Sequence, residues 1–498
     1  MSAEKPNILL IMTDQQRYDS LGCYGVDGLH TPNLDQVAAD GVVFENHYVN
    51  NPICTPTRAS IHTGKPLPGH GVYQLYDDLP EEEVLFPERL REEGYKTALV
   101  GKMHVSSRLT ESKRRHPHDG FDHYDWCMEP SIDLDSPFNA YSSWLKEEYP
   151  GFYDELKEKG RDLGHFPQEV HMSRWAAQRT AEYIRRWQDE GPFFIEMSVF
   201  DPHNPYRDYP KEMIDCLDPD LIPDPLTEGI EIEEKPRAVR REHEGSYLGS
   251  FDSFSEKDLQ KMRMGYHASI AFLDKEVGRV LEALRATGLE KNTLIIFTSD
   301  HGDMLGDHQL LVKGAFFYDP CTKVPLIMKW PDRIEGGRRI SGLSQPHDLA
   351  ATILSSAGCR PEKLQKLMPE SKDLTPVGEG ERDEGHQYAV CAYRNTGIND
   401  NKDYFDPPIY GTMIRGERFK LNLYHDPSLS GDVEGELYDM ENDGNELNDL
   451  WDDPSYREIR RELTEKLLNW ETRQELKLGD RGRGITPDSS QKLDNRPT

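Results

Sequence analysis

Residues 52–64, PICTPTRASIHTG, predict a short helix that begins beside a cysteine. Thr55 followed by Pro56 is typical of a helix start, with a hydroxyl cap and then a proline at the first helical position. Gly64 is expected to end the helix. Cys54 then lies at the helix N-terminus, where free N–H groups and the helix dipole favour an anion. A thiol there could be a low-pKa nucleophile, although a lone cysteine is more often a small buried apolar residue.

Four apolar segments on either side of this stretch predict buried strands of a parallel sheet, at 7–12, 96–100, 193–200 and 293–298. Each strand is followed directly by polar side chains. Because the carboxyl ends of parallel strands meet at one edge of a sheet, we expect these side chains to form a single site. With Cys54 and Arg58, the predicted site residues are Asp14, Gln15, Lys102, His104, His203, Asp300, His301 and the later Lys313.

Two chemically different groups can be separated within this set. The predicted metal ligands are Asp14, Gln15, Asp300 and His301, since carboxylate and amide oxygens suit a hard divalent cation such as Ca²⁺ or Mg²⁺. The imidazole is unusual for Ca²⁺ and leaves Mn²⁺ or Zn²⁺ open. The alternative is that Asp300 and His301 form only a strand-end turn and a helix cap.

The cations of the set provide the second group. They supply enough positive charge to hold a small tetrahedral anion and to stabilise charge on its oxygens during transfer. Taken singly, each could instead be a surface cation or a hydrogen-bonded core histidine. The predicted catalytic cations are Arg58, Lys102, His104, His203 and Lys313. The basic run at 113–115 is interpreted as a solvated loop.

These motifs resemble the type I, formylglycine-dependent sulfatases, which are members of the alkaline phosphatase superfamily. The resemblance covers about residues 6–475 and implies an α/β fold. It implies a large, mostly parallel mixed sheet flanked by helices, with a smaller C-terminal α+β domain. The resemblance rests on Cys54-x-Pro56-x-Arg58, Gly101-Lys102-Met103-His104, Pro202-His203, Ser299-Asp300-His301-Gly302 and Glu436-Leu437-Tyr438-Asp439.

The resemblance also implies an activity, the hydrolysis of a sulfate ester. A maturation enzyme would oxidise Cys54 to formylglycine, which would join the metal ligands and attack sulfur as its hydrate. His203 and Lys313 would stabilise or protonate the leaving alkoxide. His104 would remove a proton from the second hydroxyl of the hydrate and so release sulfate.

The chain departs from the usual family pattern at three positions. Thr57 stands where a serine is usual, and Gln15 and His301 stand where many animal sulfatases have Asp and Asn. The last two are similar to choline sulfatases and phosphonate monoester hydrolases. A phosphonate monoester or phosphodiester hydrolase is therefore an alternative, although Tyr and Thr tend to replace Lys102 and His104 in phosphonate monoester hydrolases. A catalytically silent sulfatase-like binding protein is another. The organic part of the substrate stays open among sugar, choline-like alcohol and aryl group.

Composition limits the classes of partner expected for this 498-residue chain. Its 59 Lys and Arg residues against 90 Asp and Glu residues give a net charge of −31, which argues against nucleic acid and membrane surfaces as partners. The seven cysteines show no paired spacing, which argues against a disulfide framework or a structural zinc site. No signal-peptide h-region or membrane-spanning segment is seen, so we expect a cytoplasmic protein, and a homo-oligomer is possible.

The predicted domain organisation has two parts and a tail. A catalytic domain covers 1–385, a subdomain with a small antiparallel sheet and a helix covers 386–476, and a polar tail covers 477–498. Residues 359–387, rich in Pro, Glu and Lys, predict a linker. The Pro-rich, charged residues 207–255 predict an insertion over the site, and the polar residues 105–165 contain no predicted element.

Overall fold

The computed structural model describes residues 5–26, 28–381, 385–396, 405–427 and 433–477, with side chains described as far as 474. Its central sheet has eight strands in the order β4-β3-β5-β1-β6-β7-β2-β8. Within this sheet β7 pairs antiparallel with both of its neighbours, and the other pairs are parallel. The strands are β1 Asn7–Thr13, β2 Val42–His47, β3 Lys96–Gly101, β4 His123–Trp126, β5 Phe193–Ser198, β6 Thr293–Ser299, β7 Leu326–Lys329 and β8 Arg338–Ser344.

Helices cover both faces of this sheet, as the sequence resemblance implies. Alternate residues of β1 show why, since Leu9 and Ile11 belong to one apolar cluster while Leu10 and Met12 belong to another. The α-helices are α1 Pro32–Ala39, α2 Cys54–Thr63, α3 Leu67–His70, α4 Phe86–Glu92, α5 Arg108–Glu111, α6 Ala140–Glu148, α7 Pro150–Lys159, α8 Met172–Trp187, α9 Arg237–Glu244, α10 Glu256–Ala286, α11 Asp319–Thr322, α12 Asp348–Ser356, α13 Pro361–Leu367, α14 Thr375–Gly378 and α15 Arg457–Lys477.

A second, antiparallel sheet of four strands lies in the C-terminal region, in the order β12-β11-β10-β9. Leu421 and Leu437 on one of its faces belong to the same apolar cluster as Leu463 and Leu467 of α15. The strands are β9 Ala389–Arg394, β10 Tyr410–Arg415, β11 Phe419–His425 and β12 Glu434–Asp439. The predicted fold class is therefore confirmed, whereas the division at 385/386 stays a prediction and the tail from 478 on lies outside the described residues.

The structure corrects the sequence-based reading in two segments and adds one strand. Residues 105–165 contain β4, α5, α6 and α7 rather than no regular element. The predicted linker 359–387 contains α13 and α14, and Leu374 and Val377 are buried in the core. Strand β8 was not predicted, because Arg338–Ser344 is half polar and pairs at an edge of the sheet.

Two further observations concern the whole described chain. None of the seven cysteines forms a disulfide. No helix among the described residues combines the length and the apolar character needed to cross a bilayer.

Within the insertion 207–255 the structure forms α9, and Tyr247 lines the main cavity described below.

Candidate active site

Helix α2 begins two residues earlier than the cap pattern suggests. Cys54 is the first helical residue and Ile53 is the N-cap, so the prediction of Thr55 as the cap and Pro56 as the first helical residue is wrong. No side chain caps this helix start; Asn51 Oδ1 accepts the N–H of Ile53, the residue before the first helical one, at 2.9 Å. The Thr55 hydroxyl contacts His104 instead of capping the helix. Cys54 still lies at the helix N-terminus, as predicted, and the whole helix is buried.

Arg58 fixes this helix to the carboxyl ends of the central strands. Its Nε donates to Asp300 Oδ2 at 2.6 Å. Its Nη1 donates to Ser198 Oγ at 2.9 Å and to the carbonyl of Lys102 at 3.0 Å. The guanidinium is fully buried, and its partners lie at the last residue of β5 and directly after β3 and β6. Arg58 therefore has a structural role in addition to the charge expected of it.

The predicted metal ligands converge beneath Cys54. Asp14, Asp300 and His301 place one ligand atom each within 4.8 Å of one another, and all three are buried. His301 Nδ1 donates to the Gly302 carbonyl at 2.9 Å, which leaves Nε2 directed towards Asp14 Oδ1 at 3.5 Å and Asp300 Oδ1 at 3.7 Å. Such a tautomer is typical of a metal-binding histidine.

Gln15 was also predicted as a metal ligand. The residues that orient its side chain were not predicted. Its Nε2 donates to Asp303 Oδ2 at 2.6 Å and to Tyr206 at 3.1 Å, so its orientation is fixed. Among the described residues, no donor reaches the buried Oε1 of Gln15 or the buried Oδ1 of Asp14. Two carboxylates, one amide oxygen and one imidazole are ligand types that fit a divalent metal ion. The backbone of Gln15 has a positive φ of 68°, uncommon for a residue other than glycine.

The electrostatics of the two carboxylates agree with this arrangement. Burial alone would raise the pKa of Asp14, but Lys102, whose Nζ pairs directly with Oδ2, holds that pKa well below its ordinary value. Burial likewise opposes ionisation of Asp300, and Arg58 outweighs it and lowers the pKa. Both side chains are therefore ionised near neutral pH.

The predicted cations face Cys54 from the other side. Lys313 Nζ lies 2.9 Å from His203 Nε2 and 3.1 Å from His301 Nε2. His203 Nδ1 donates to the Asn204 carbonyl, so its Nε2 accepts from Lys313. Burial and then the charge of Lys313 hold the pKa of His203 well below its ordinary value.

His104 approaches the same space along the helix N-terminus. Its Nε2 lies 3.0 Å from Thr55 Oγ1, and Glu111 accepts its backbone N–H at 2.9 Å. Burial and then Lys102 hold the pKa of His104 well below its ordinary value, so the ring is neutral near pH 7. Its backbone φ of 58° is in the left-handed region, which is uncommon for a residue other than glycine.

These charges also act on the cysteine itself. Burial alone would raise the pKa of the Cys54 thiol, but Lys313 and Lys102 outweigh burial and lower it from its ordinary value. The site therefore stabilises negative charge at position 54, which is what a nucleophile and a transferred anion both require.

A cavity of about 570 Å³ opens above Cys54 and is lined by Lys102, His104, His203 and Lys313. Its outer wall contains residues that sequence reasoning missed, since they come from 105–165 and from the insertion and carry no motif. Glu129 accepts from Arg161 Nε at 2.8 Å, and the guanidinium also contacts the Tyr247 hydroxyl. The wall is completed by Leu75, Tyr76, Arg108, Met128, Ile132, Phe200, Asn204 and Val312.

Comparison with known proteins points to one family. The family model described as Sulfatase matches residues 6–359, and the model described as N-sulphoglucosamine sulphohydrolase, C-terminal, matches residues 306–473. An arylsulfatase of Clostridium perfringens is 31% identical over 368 residues, 71% of this chain and 75% of that protein. An N-acetylglucosamine-6-O-sulfatase of Bacteroides thetaiotaomicron is 26% identical over 512 residues, covering 96% and 88%. The solved phosphonate monoester hydrolase of Agrobacterium radiobacter superposes with a TM-score of 0.75 at 25% identity, covering 94% and 96%.

The eight-stranded sheet, the buried carboxylates and Cys54 at a helix N-terminus fit a hydrolase of the alkaline phosphatase type. Within that superfamily the chain belongs to the sulfatase family, because the Sulfatase match spans well over half of its length. A divalent metal ion and a formylglycine are typical of this family.

Proposed function

We propose that this protein hydrolyses a sulfate ester through a formylglycine formed from Cys54, with Ca²⁺ as the bound ion. The observation that carries the proposal is the arrangement around position 54. Lys102, His104, His203 and Lys313 line the cavity together with Cys54, while Asp14 and Asp300 lie fully buried behind it. A sulfate group entering the cavity would therefore meet cations on its open side, and a metal ion would be held between the carboxylates.

The residues that would hold the ion are Asp14, Gln15, Asp300 and His301, together with the modified side chain at position 54. Two carboxylates and an amide oxygen against one imidazole favour Ca²⁺, with Mn²⁺, Mg²⁺ and Zn²⁺ as alternatives. When present, the formylglycine hydrate supplies a hydroxyl nucleophile and the ion supplies Lewis-acid activation.

The chain's own residues bind the sulfate and move protons. Lys102 and Lys313 neutralise charge on the sulfate oxygens in a buried setting, where such contacts are strong. His203 and Lys313, 2.9 Å apart, would stabilise or protonate the leaving alkoxide. His104 is a neutral imidazole beside the helix N-terminus and would accept the proton that accompanies release of sulfate.

For the organic part of the substrate we propose a sugar. A cavity of about 570 Å³ has room for a sugar ring, which is larger than a small alcohol. Its outer wall offers the Glu129–Arg161 pair and the aromatic rings of Tyr76 and Tyr247, a mixture that suits hydroxyl groups and a ring face. The N-acetylglucosamine-6-O-sulfatase relative supports this choice.

Phosphonate monoester hydrolysis is the second candidate, favoured by the likeness to the Agrobacterium radiobacter enzyme. Lys102 and His104 argue against it, because phosphonate monoester hydrolases tend to have Tyr and Thr at those places. A silent binding protein is disfavoured because Lys102, His104, His203 and Lys313 line the cavity and Arg58 contacts Asp300. The maturation enzyme as a partner, a homo-oligomer and a cytoplasmic location stay predictions.

The test is a substrate screen with protein coexpressed with a formylglycine-generating enzyme. Sulfated monosaccharides, choline sulfate, an aryl sulfate and a phosphonate monoester are compared by released sulfate or phosphonate. We expect the sugar sulfates to be the best substrates, Cys54→Ala to be inactive, and peptide mass spectrometry to find an aldehyde at position 54. A preference for the phosphonate monoester, or a free thiol in fully active enzyme, would overturn the assignment.

A further inference from the structure

A second group of ligand side chains lies outside the catalytic cavity, where β2 and β8 end and α12 begins. His347, Asp348 and His386 place one ligand atom each within 4.8 Å of one another. The first two are buried, and the side chain of His386 is 14% exposed, which gives the group a path to solvent. None of the three residues lines the cavity above Cys54.

The ligand atoms of this group lie close together, with His386 and Asp348 at hydrogen-bond distance. His386 Nε2 lies 2.8 and 2.9 Å from the two carboxylate oxygens of Asp348, and His347 Nε2 lies 3.7 Å from Oδ1. Ligand atoms of a tetrahedral Zn²⁺ at 2.0–2.2 Å from the ion are separated by about 3.4 Å. Small side-chain movements would therefore bring all three ligands to bonding distance.

Hydrogen bonds from neighbouring groups orient Asp348 and His347, as such bonds orient the ligands of known metal sites. Asp348 accepts the backbone N–H groups of Gln345 and Lys372 at 2.9 and 2.8 Å. His347 Nδ1 lies 3.3 Å from Asn50 Oδ1 and 3.0 Å from its amide nitrogen. When Nδ1 donates to Asn50, the Nε2 of His347 keeps its lone pair for an ion.

A third imidazole lies next to the group. His47, on β2, pairs in register with Ser344 at the end of β8, and its Nδ1 contacts the Ser344 hydroxyl at 2.9 Å. Its Nε2 is fully buried, and nothing in the described part of the chain forms a hydrogen bond with it. A simple Asp348–His386 ion pair leaves this nitrogen without a partner, whereas a water bound at a metal site would supply one.

We propose that His347, Asp348 and His386 form a second metal site, separate from the catalytic one, that binds Zn²⁺. Two imidazoles and one carboxylate are ligands that Zn²⁺ prefers over Ca²⁺. The cysteine spacing predicts no structural zinc site, but this group needs no cysteine and joins residues far apart in sequence.

The role of the ion is structural. Ser371 Oγ lies 2.7 Å from the carbonyl of Gly64, which caps the C-terminus of α2, and 2.6 Å from the carbonyl of His347. The ion would thus hold the segment that carries Ser371 and His386 against the start of α12 and the end of α2. The helix that carries Cys54 is thereby supported at its opposite end.

The experiment counts Zn²⁺ ions. Full-length wild type, His386→Gln and the exposed-histidine control His118→Gln are stripped with a chelator, dialysed against Zn²⁺ alone and analysed for metal content. Glutamine at 386 keeps a donor for Asp348 but lacks the imidazole nitrogen. We expect His386→Gln to bind one Zn²⁺ per chain fewer than wild type and His118→Gln to match wild type. Equal Zn²⁺ content in wild type and His386→Gln would overturn the proposal.

A second variant keeps the test valid if His386→Gln does not fold. Asn50→Ala removes only the outer partner of His347, so we expect the same number of ions with an affinity reduced about 10–100-fold. Replacement of Zn²⁺ by Co²⁺ should give the visible absorption of a tetrahedral site in wild type, with the same shift in affinity in Asn50→Ala. Unchanged affinity in Asn50→Ala, or no tetrahedral Co²⁺ spectrum in wild type, would contradict a site at His347.

Discussion

The buried pair of His62 and Glu196 gives the sharpest test of how α2, the helix that begins at Cys54, is attached to the central sheet. His62 Nε2 lies 3.0 Å from Glu196 Oε2, and its Nδ1 donates to the Arg58 carbonyl at 2.8 Å. Both side chains of the pair are fully buried. Glu196 and Ser198, which accepts from Arg58, are two apart on β5 and so face the same side. The pair therefore fixes α2 to β5 directly behind Arg58.

The two single substitutions should differ in cost. His62→Leu leaves a buried carboxylate without its cation, which costs about 3–5 kcal/mol of the free energy of unfolding. Glu196→Leu allows His62 to become neutral and leaves one imidazole nitrogen without a partner, which costs about 1–3 kcal/mol. The double variant removes both charges and keeps similar volume, so it should lie within about 1–2 kcal/mol of wild type. The expected coupling energy is then roughly 2–7 kcal/mol.

The pair should also make stability depend on pH. Burial opposes protonation of His62, but Glu196 outweighs burial and raises the pKa above the ordinary value of 6.5. A raised histidine pKa contributes stability that is fully present below the unfolded-state value and is lost as pH rises through the folded-state value. Wild type should therefore lose part of its stability above pH 6.5, and the double variant should not show this loss.

The assay is urea unfolding followed by tryptophan fluorescence at several pH values, for wild type, both single variants and the double variant. Aryl sulfate turnover is measured in parallel, with His165→Leu, an exposed histidine, as control. If the double variant is as unstable as the sum of the single ones, or if the single variants cost less than about 1 kcal/mol, the reasoning on a coupled buried pair fails.

Three further predictions concern the cavity. His104→Ala should release one equivalent of phenol from an aryl sulfate in a rapid-mixing assay and then turn over about 10²–10⁴-fold more slowly, and normal steady-state turnover would exclude it as the base. Asp300→Asn should bind one divalent ion per chain fewer than wild type and lose activity, and unchanged metal content would place the catalytic ion elsewhere. Arg161→Ala should raise KM for sugar sulfates more than for an aryl sulfate, with the exposed Arg114→Ala as control, and equal effects on both substrates would refute a sugar-contacting wall.

Local sequence patterns determined much of the fold and most of the predicted site. Continuous apolar runs identified the four central strands, and the polar residues that follow them are the ones the structure brings together around Cys54. This works because a strand buried on both faces must be apolar along its whole length, and because parallel strands present their carboxyl ends at one edge.

Only the tertiary structure decided the features that depend on contacts between distant residues. The helix begins at Cys54 rather than at the Thr-Pro pattern, after a turn in which Asn51 accepts the N–H of Ile53. Strand β8 is half polar because it is an edge strand, and the Glu129–Arg161 wall comes from segments with no periodic signal.

The same holds for the buried polar groups. His62 and Glu196 are 134 residues apart, and His47 and His386 are brought near the start of α12 by β2, β8 and the segment that follows α14. A histidine or glutamate on an apolar background carries no mark of its partner in the sequence. Its role is set by burial, which makes an unpaired polar group costly and so requires a partner that only the folded chain supplies.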